Sequence, residues 1–380
     1  MWKFIKNLTI FDSLTNLKKE LKKKTRKTSQ KPHPPLLPEE QAIVQQIKEK
    51  TKMLNINNVI RTQAYLDFYL RHPEIHWAFL GHMVSRNGGW NMTDLKGGML
   101  PRLLMKKEAI SFFTFLERGN WLIFQDAYPQ FLLYEESLNK GKSLFYLLEH
   151  FNVSSFMEIV WNQFWKQQET YILAIALVIN EQSYLEERVI NNKIYKKEVF
   201  NTLEFKLQDF LSMNHILFPF VKDGEIKLIG QTLRHFESLH ERILLGKRLY
   251  AILFNDKNQL KMVENWAKTT PHSGSRKDYW PDVFNDVDEG VPGLPFKPRL
   301  KDCKIVKGAP KIYSPKLEIA WANQNHKSAE LGDWFHNWDV VDYLTETKEI
   351  VDGEIEHEYC KTLERLELAA ITKKAISILD

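Results

Sequence analysis

The sequence predicts a mainly α fold, a multi-helix globular body that carries a small β-hairpin and one long irregular insertion rich in Pro and Gly. Three observations predict it. Apolar residues recur at i, i+3, i+4 and i+7 along most of the chain, the period of amphipathic helices. Period-two alternation is confined to FVKDGEIKLI (220–229), where Asp223-Gly224 marks a tight hairpin turn. Seven of the fifteen prolines crowd into residues 269–315, which no regular helix tolerates. At 380 residues, 43% apolar and 27% charged, the chain has the composition of a folded protein with a sizeable core, and its 47 aromatic residues dominate that core.

Taken in order, residues 1–38 form a basic tail and a Pro-rich linker. Ile10, Leu14, Leu17 and Leu21 share one helical face, extended by Trp2, Phe4, Ile5 and Leu8, and KPHPPLLP follows as an extended connector. The helical body spans 39–268. Pro38 and two glutamates open a helix over 38–54, and NVIRTQAYLDFYLRH (58–72) continues as a second. PRLLMKKEAISFFTFLERG is an amphipathic helix that Gly119 should end. Ser155 and Glu158 form a capping-box pair before a central buried helix that runs on through residue 182. EVFNTLEFKLQDFLSM (198–213) and GQTLRHFESLHERILLGKRLYAILF (230–254) are further helices. The irregular insertion covers 269–315, and Tyr279, Trp280, Phe284 and Phe296 argue that it packs onto the body. A C-terminal segment (316–380) completes the body. It holds a short helix KLEIAWANQN, capped by Ser314-Pro315, and a final helix from Tyr359.

Charge divides the molecule. Residues 1–37 carry ten Lys and Arg against Asp12 and Glu20, while the remainder is slightly acidic. Lys18, Lys19, Lys22, Lys23, Lys24, Arg26 and Lys27 can meet an anionic membrane surface, the apolar stripe lying against lipid. Nucleic acid is the less favoured partner, since the body offers no basic footprint, and a solvated tail is the plain alternative. No protein partner is indicated. The most apolar run, YILAIALVI (171–179), is too short to span a bilayer, and the N-terminus lacks the apolar core of a secretory signal. Two cysteines, Cys303 and Cys360, make no disulfide framework and suggest a reducing compartment. The expected location is therefore the cytoplasm, at or near the inner face of the membrane.

HPEIHWAFLGHMVSRNGGWNMTDLKGG (72–98) concentrates three histidines, five glycines and two tryptophans. Pro73 should separate two helices and open the second, which Gly88-Gly89 should end. Upstream, Arg61, Tyr65, Tyr69 and His72 fall on one helical stripe, too polar for a plain core. If the two helices form a hairpin, His76, His82, Arg86, Asn87, Asn91 and Asp94 can partner that stripe. Two readings stay open. One is a ligand site in which Arg61, Arg86 and the Gly-Gly loop hold an anion, or Trp90 beside Asn91 and Asp94 holds a sugar or base. The other is a polar network that serves the fold alone. On the first, the protein is an enzyme acting on an anionic or glycan-like small substrate. On the second, it is a cytoplasmic binding or scaffold protein brought to the membrane by its tail.

These residues also carry a resemblance. NNVIRTQAYLDFYLRHPEIHWAFLGHMVSRNGGWNMTDLKGG (57–98) resembles the signature block of the YppC-like family of Bacillus-type bacteria. LIGQTLRHFESLHERILLGKRLYAILF, GSRKDYWPDVF and SPKLEIAWANQ are similar to later blocks of that family, so the resemblance covers most of residues 40–380. It implies a Gram-positive cytoplasm and no particular activity, cofactor or catalytic residue.

Catalytic and metal motifs are weak. His72-Pro-Glu-Ile-His76 is not HExxH, because the glutamate sits one place late and Pro73 breaks the turn. Glu237/His240 and Glu354/His357 have the ExxH spacing of di-metal helical bundles, but chance alone supplies roughly one such pair in this composition. A calcium loop begun at Asp286 would close on Lys297 instead of a glutamate. No phosphate-binding loop, dinucleotide fingerprint or nucleophile elbow occurs, and no cofactor is called for.

Overall fold

The computed structural model describes residues 14–23, 35–191, 214–290, 297–336, 339–345 and 351–379. Residues 14–23 form α1, followed by α2 (Pro38–Leu54), α3 (Asn58–Arg71), α4 (His76–Asp94), α5 (Lys106–Lys140), α6 (Ser155–Gln167) and α7 (Thr170–Leu185). An antiparallel hairpin, β1 (His215–Lys222) and β2 (Glu225–Thr232), precedes α8 (Leu239–Phe254) and α9 (Lys257–Thr269), and α10 (Glu356–Leu379) closes the chain. The fold is mainly α, with two-residue strand pairs as its other β structure among the described residues. The helix expected at 198–213 lies outside the described residues, as do Lys24, Arg26, Lys27 and Phe296.

α7 is the axis of the core. Residues 172–180 are buried on every side, as expected of a helix with no polar face, and α4, α5, α6 and α8 pack around it. α3 and α4 form the helical hairpin that frames the polar stretch. Asn57 caps α3 by accepting the Ile60 N–H, and α3 ends at Arg71, two residues before Pro73 as the proline requires. The hairpin turn at Asp223-Gly224 takes positive φ at both residues (53° and 80°), the type I′ geometry that matches strand twist.

Several boundaries depart from the sequence expectation, each for a tertiary reason. α4 starts at His76, after a turn at 73–74, and runs straight through Gly88-Gly89. Gly89 is there for close approach: a Cβ would lie 2.3 Å from Asn58 Oδ1 and 2.4 Å from His272 Nε2. α5 likewise continues through Gly119 and Pro129. Its apolar stripe resumes at Leu122 and Phe124, and core burial there outweighs a glycine penalty of about 1 kcal/mol. The expected central helix is two helices, broken where Gln168 adopts positive φ, and the cap of α6 is Ser154 rather than Ser155. Residues 230–232 belong to β2, so α8 begins only after Ser238, whose side chain accepts from Glu241 N–H. The helix after Ser314 is a single turn, Leu317–Ala320, started by Lys316.

Two larger corrections concern the tail and the cysteines. In α1, Leu17 and Leu21 are fully buried in the main core and Leu14 nearly so, while Lys18 pairs with Asp342 at 3.1 Å. The described part of the apolar face assigned to lipid, Leu14, Leu17 and Leu21, is thus taken up by the protein itself, while Trp2, Phe4, Ile5, Leu8 and Ile10 lie outside the described residues; Lys19 and Lys23 remain exposed. Cys303 and Cys360 form a disulfide across 57 residues, tying the turn between two short strands (Leu300–Lys301 and Lys304–Ile305) to α10. The cysteine count therefore gives no support for a reducing compartment. In the irregular segment, Tyr279 and Phe284 are buried, and Phe284–Asn285 pairs with Ile312–Tyr313. Among the described residues no helix is long and apolar enough to cross a membrane.

Candidate functional site

The polar residues of α3 and α4 do face inward, but they serve separate partners. Arg61, 1% exposed, donates to Glu117 Oε2 at 2.6 Å and to Asn55 Oδ1 at 3.3 Å. Arg86 donates twice to the Thr270 carbonyl at 2.8 Å and lies over the Trp266 ring. Burial pulls its pKa down to about 10, opposed by Asp278. Asn87 bridges α4 to β1: its amide donates to Leu217 O and accepts from Leu217 N, as a neighbouring strand would. His82 contacts the Thr62 carbonyl through Nδ1 at 2.8 Å, and burial drives its pKa far down, so it stays neutral. His76 meets Tyr250 Oη at 2.9 Å and stacks on Phe254; burial lowers its pKa to about 4. His72 lies near Glu74 and Glu135 at the surface end. Trp90 packs against Tyr279. The expected anion cleft of Arg61 with Arg86 is therefore not formed, because both guanidiniums are taken by the protein.

The residue that organises this end of α4 escaped the sequence reading. Arg276, 2% exposed, reaches Asp94 with Nε at 2.7 and 2.9 Å, Asn91 Oδ1 at 3.1 Å, and the hydroxyls of Tyr279 and Tyr359 at 2.7 and 2.8 Å. It ties α4, the irregular segment and α10 into one network. Burial raises the Asp94 pKa while Arg276 opposes the rise. An arginine amid aromatics and an acid in GSRKDYW was the available signal.

A different stripe of α4 borders empty space. Trp77, Gly81, Val84, Gly88 and Asn91, spaced four, three, four and three, line a cavity of about 240 Å³. Each opposing helix presents one face. α7 contributes Val178, Glu181, Gln182 and Leu185, and α8 contributes Arg242, Leu245, Gly246 and Leu249, both at i, i+3, i+4, i+7. Phe112 and Phe115 of α5, Tyr65 of α3 and Ile216 of β1 belong to the same wall. Protein interiors hold few voids larger than a water molecule, and an apolar cavity of about 150 Å³ already accepts benzene. Of the residues singled out from sequence, Tyr65, Gly88 and Asn91 line this space.

The wall is mostly apolar, and most of its polar groups are bonded. Arg242 donates to Glu186 Oε2 at 2.6 Å, to Gln182 Oε1 and to the Phe236 carbonyl. Ser85 meets Thr62 Oγ1 at 2.7 Å, and Asn120 donates to the Leu116 carbonyl. Two exceptions lie together: Tyr65 Oη is buried without a hydrogen-bond partner, and Trp77 Nε1 has only the neighbouring Glu181 carboxyl to donate to, on rings that meet edge to face 5.5 Å apart. Beside them is Glu181, whose Oε1 accepts the Gln182 amide at 2.8 Å. Glu181 keeps some accessible surface, but that surface is cavity wall, so its carboxyl is still desolvated. Burial accordingly raises its pKa to about 8, against the smaller opposing pull of Trp77 and Gln182. Burial also drives the Tyr65 phenol well up, and the Glu181 charge adds to it.

The ExxH pairs do not build a metal centre. Glu237 precedes the Ser238 cap, and Glu354 precedes α10, where its carboxylate accepts the His357 backbone N–H. His240 contacts Tyr343 Oη. Among the described residues no three His, Cys, Asp or Glu side chains converge to hold a metal ion.

A helical body with an α3–α4 hairpin, an Arg276 clamp and a walled chamber defines the class, and the chain belongs to the family described as "Protein of unknown function (DUF2515)", matched over residues 53–360. That span holds the whole described cavity wall. The chain is also similar to "Uncharacterized protein YppC" of Bacillus subtilis (strain 168). The two are 44% identical over 243 residues, which is 63% of this chain and 75% of that protein. No solved structure matches.

Proposed function

We propose that the protein binds a small, largely apolar molecule in the chamber between α4, α5, α7, α8 and the hairpin. One observation carries this reading: the α4 stripe of Trp77, Gly81, Val84, Gly88 and Asn91 fronts about 240 Å³ of mostly apolar-walled space between buried helices. Small residues recur on that stripe, and the wall carries few polar groups, which suits ligands that shed apolar surface from water. An enzyme for anionic or glycan-like substrates draws less support, since Arg61, Arg86 and Arg242 are all engaged within the protein. A cytoplasmic scaffold held at the membrane draws support from the exposed Lys19 and Lys23, and it is compatible with ligand binding in the body.

Ethylbenzene tests the proposal. It should raise the melting temperature of the wild-type chain and show saturation transfer from protein methyl groups. Val84→Phe, which projects a ring into the chamber, should abolish both effects while leaving far-UV circular dichroism unchanged. No shift and no transfer with the wild-type protein would remove the proposal.

A further inference from the structure

The chamber is not uniformly greasy: Tyr65 Oη and Trp77 Nε1 sit together at one corner, beside Glu181. Trp77 Nε1–H can only donate, Tyr65 O–H can donate, and the Glu181 carboxyl lies beside both. A buried donor left without an acceptor is costly, and here Tyr65 O–H has none while Trp77 N–H has only the Glu181 carboxyl. Among the described residues no cation pairs with Glu181: the nearby Arg242 guanidinium is committed to Glu186, Gln182 and the Phe236 carbonyl. A carboxyl held in an apolar setting without a counter-ion stays protonated near neutrality and becomes a hydrogen-bond donor. The rise in its pKa agrees.

Three donors then converge. The geometry points to a ligand head consisting of an uncharged acceptor oxygen, a ketone, aldehyde, ester or amide carbonyl, received by Tyr65, Trp77 and Glu181 while an apolar body fills the rest of the chamber. This rests on the binding proposal above and adds the class of ligand. A carboxylate head is disfavoured, because a second acid beside Glu181 would have to share its proton or bury a net charge. An ammonium head would require Glu181 to release its proton to solvent before a pair could form, and it offers donors where Trp77 already supplies one.

Four near-isosteric probes separate these cases: acetophenone, ethylbenzene, benzoate and benzylamine, titrated calorimetrically at neutral pH. Acetophenone should bind at least tenfold more tightly than ethylbenzene, benzoate or benzylamine. Tyr65→Phe should remove most of that tenfold margin while ethylbenzene affinity is kept, which also shows that the variant is folded. Glu181→Gln, which retains an uncharged donor, should preserve acetophenone binding to within a few-fold, and Glu181→Leu should reduce it about tenfold. Benzylamine binding more tightly than acetophenone, and lost in Glu181→Gln, would overturn the inference in favour of a cation. Equal affinity for acetophenone and ethylbenzene would overturn it while leaving the apolar chamber intact. Failure of all four probes would overturn both readings.

Discussion

Two buried side chains show how charge is managed in this core. Arg61 and Glu117 are each almost fully shielded and meet at 2.6 Å. Removing one partner strands the other, so Arg61→Leu should cost about 3–5 kcal/mol of unfolding free energy. The double variant Arg61→Leu/Glu117→Leu should recover much of that loss in urea titrations; a double variant no better than the single would mean that Arg61 matters through other contacts. Glu181 has no such partner, and its behaviour is protonic. Its carboxyl titrates near pH 8 in the folded chain against a usual value of 4.5, with burial as the main cause and Asp126 on α5 adding to it. Trp77, Gln182 and Arg242 oppose. The folded state thus holds the proton that the unfolded chain releases. The stabilising contribution is complete below about pH 4.5 and is lost as pH rises to about 8. Asp126, raised to about 7 by burial, acts in the same direction. Wild-type stability should therefore fall across that window, and Glu181→Gln should flatten the slope by an amount on the order of 2–4 kcal/mol between the two ends. An unchanged slope would place Glu181 in contact with bulk water.

Among the elements, α4 was the most legible and the most misread. Its polar content and its position after Pro73 follow from residue type and spacing, and the pattern raised the pairing with α3 and an inward turn of Arg61, Tyr65, His82 and Arg86 as a condition that their burial meets. Its end was not legible. Gly88-Gly89 has the local chemistry of a helix stop, yet the reason for Gly89 is contact with Asn58 and His272, 31 and 183 residues away in the chain. A local rule cannot register such a partner. The chamber was hidden for the same reason. Val84, Glu181 and Arg242 lie on three helices, and each looks ordinary on its own face. The disulfide was hidden differently, since two cysteines in a long chain carry no spacing signal. By loop entropy, a crosslink spanning 57 residues stabilises by at most about 4 kcal/mol. Dithiothreitol should lower the urea midpoint of the wild type accordingly and leave Cys303→Ser/Cys360→Ser unaffected. Equal sensitivity in both proteins would show that the bond is absent in solution.

At the scale of the whole molecule, the open question is what α1 and its lysines do for the body. Charge asymmetry and the leucine stripe were both plain in the sequence, but a stripe does not reveal its own partner. Lipid and protein core satisfy it equally well, and here Leu17 and Leu21 have gone into the core. Packing and charge can be separated experimentally. Deleting residues 1–37 removes both and should cost about 2–4 kcal/mol of stability, the value of returning two or three leucines to water less the entropy regained. It should also expose an apolar patch and promote self-association. Lys19→Glu with Lys23→Glu reverses charge at two exposed positions without touching the leucines. This variant should keep the wild-type melting temperature. If the tail also meets an anionic surface, the wild type should float with phosphatidylserine-containing vesicles at low salt, less at high salt, and not with neutral vesicles. The double charge reversal should weaken that flotation several-fold. Salt-independent flotation, or flotation untouched by the reversal, would mean that lipid is met by another surface. Absence of flotation in the wild type would leave α1 as a packing element alone.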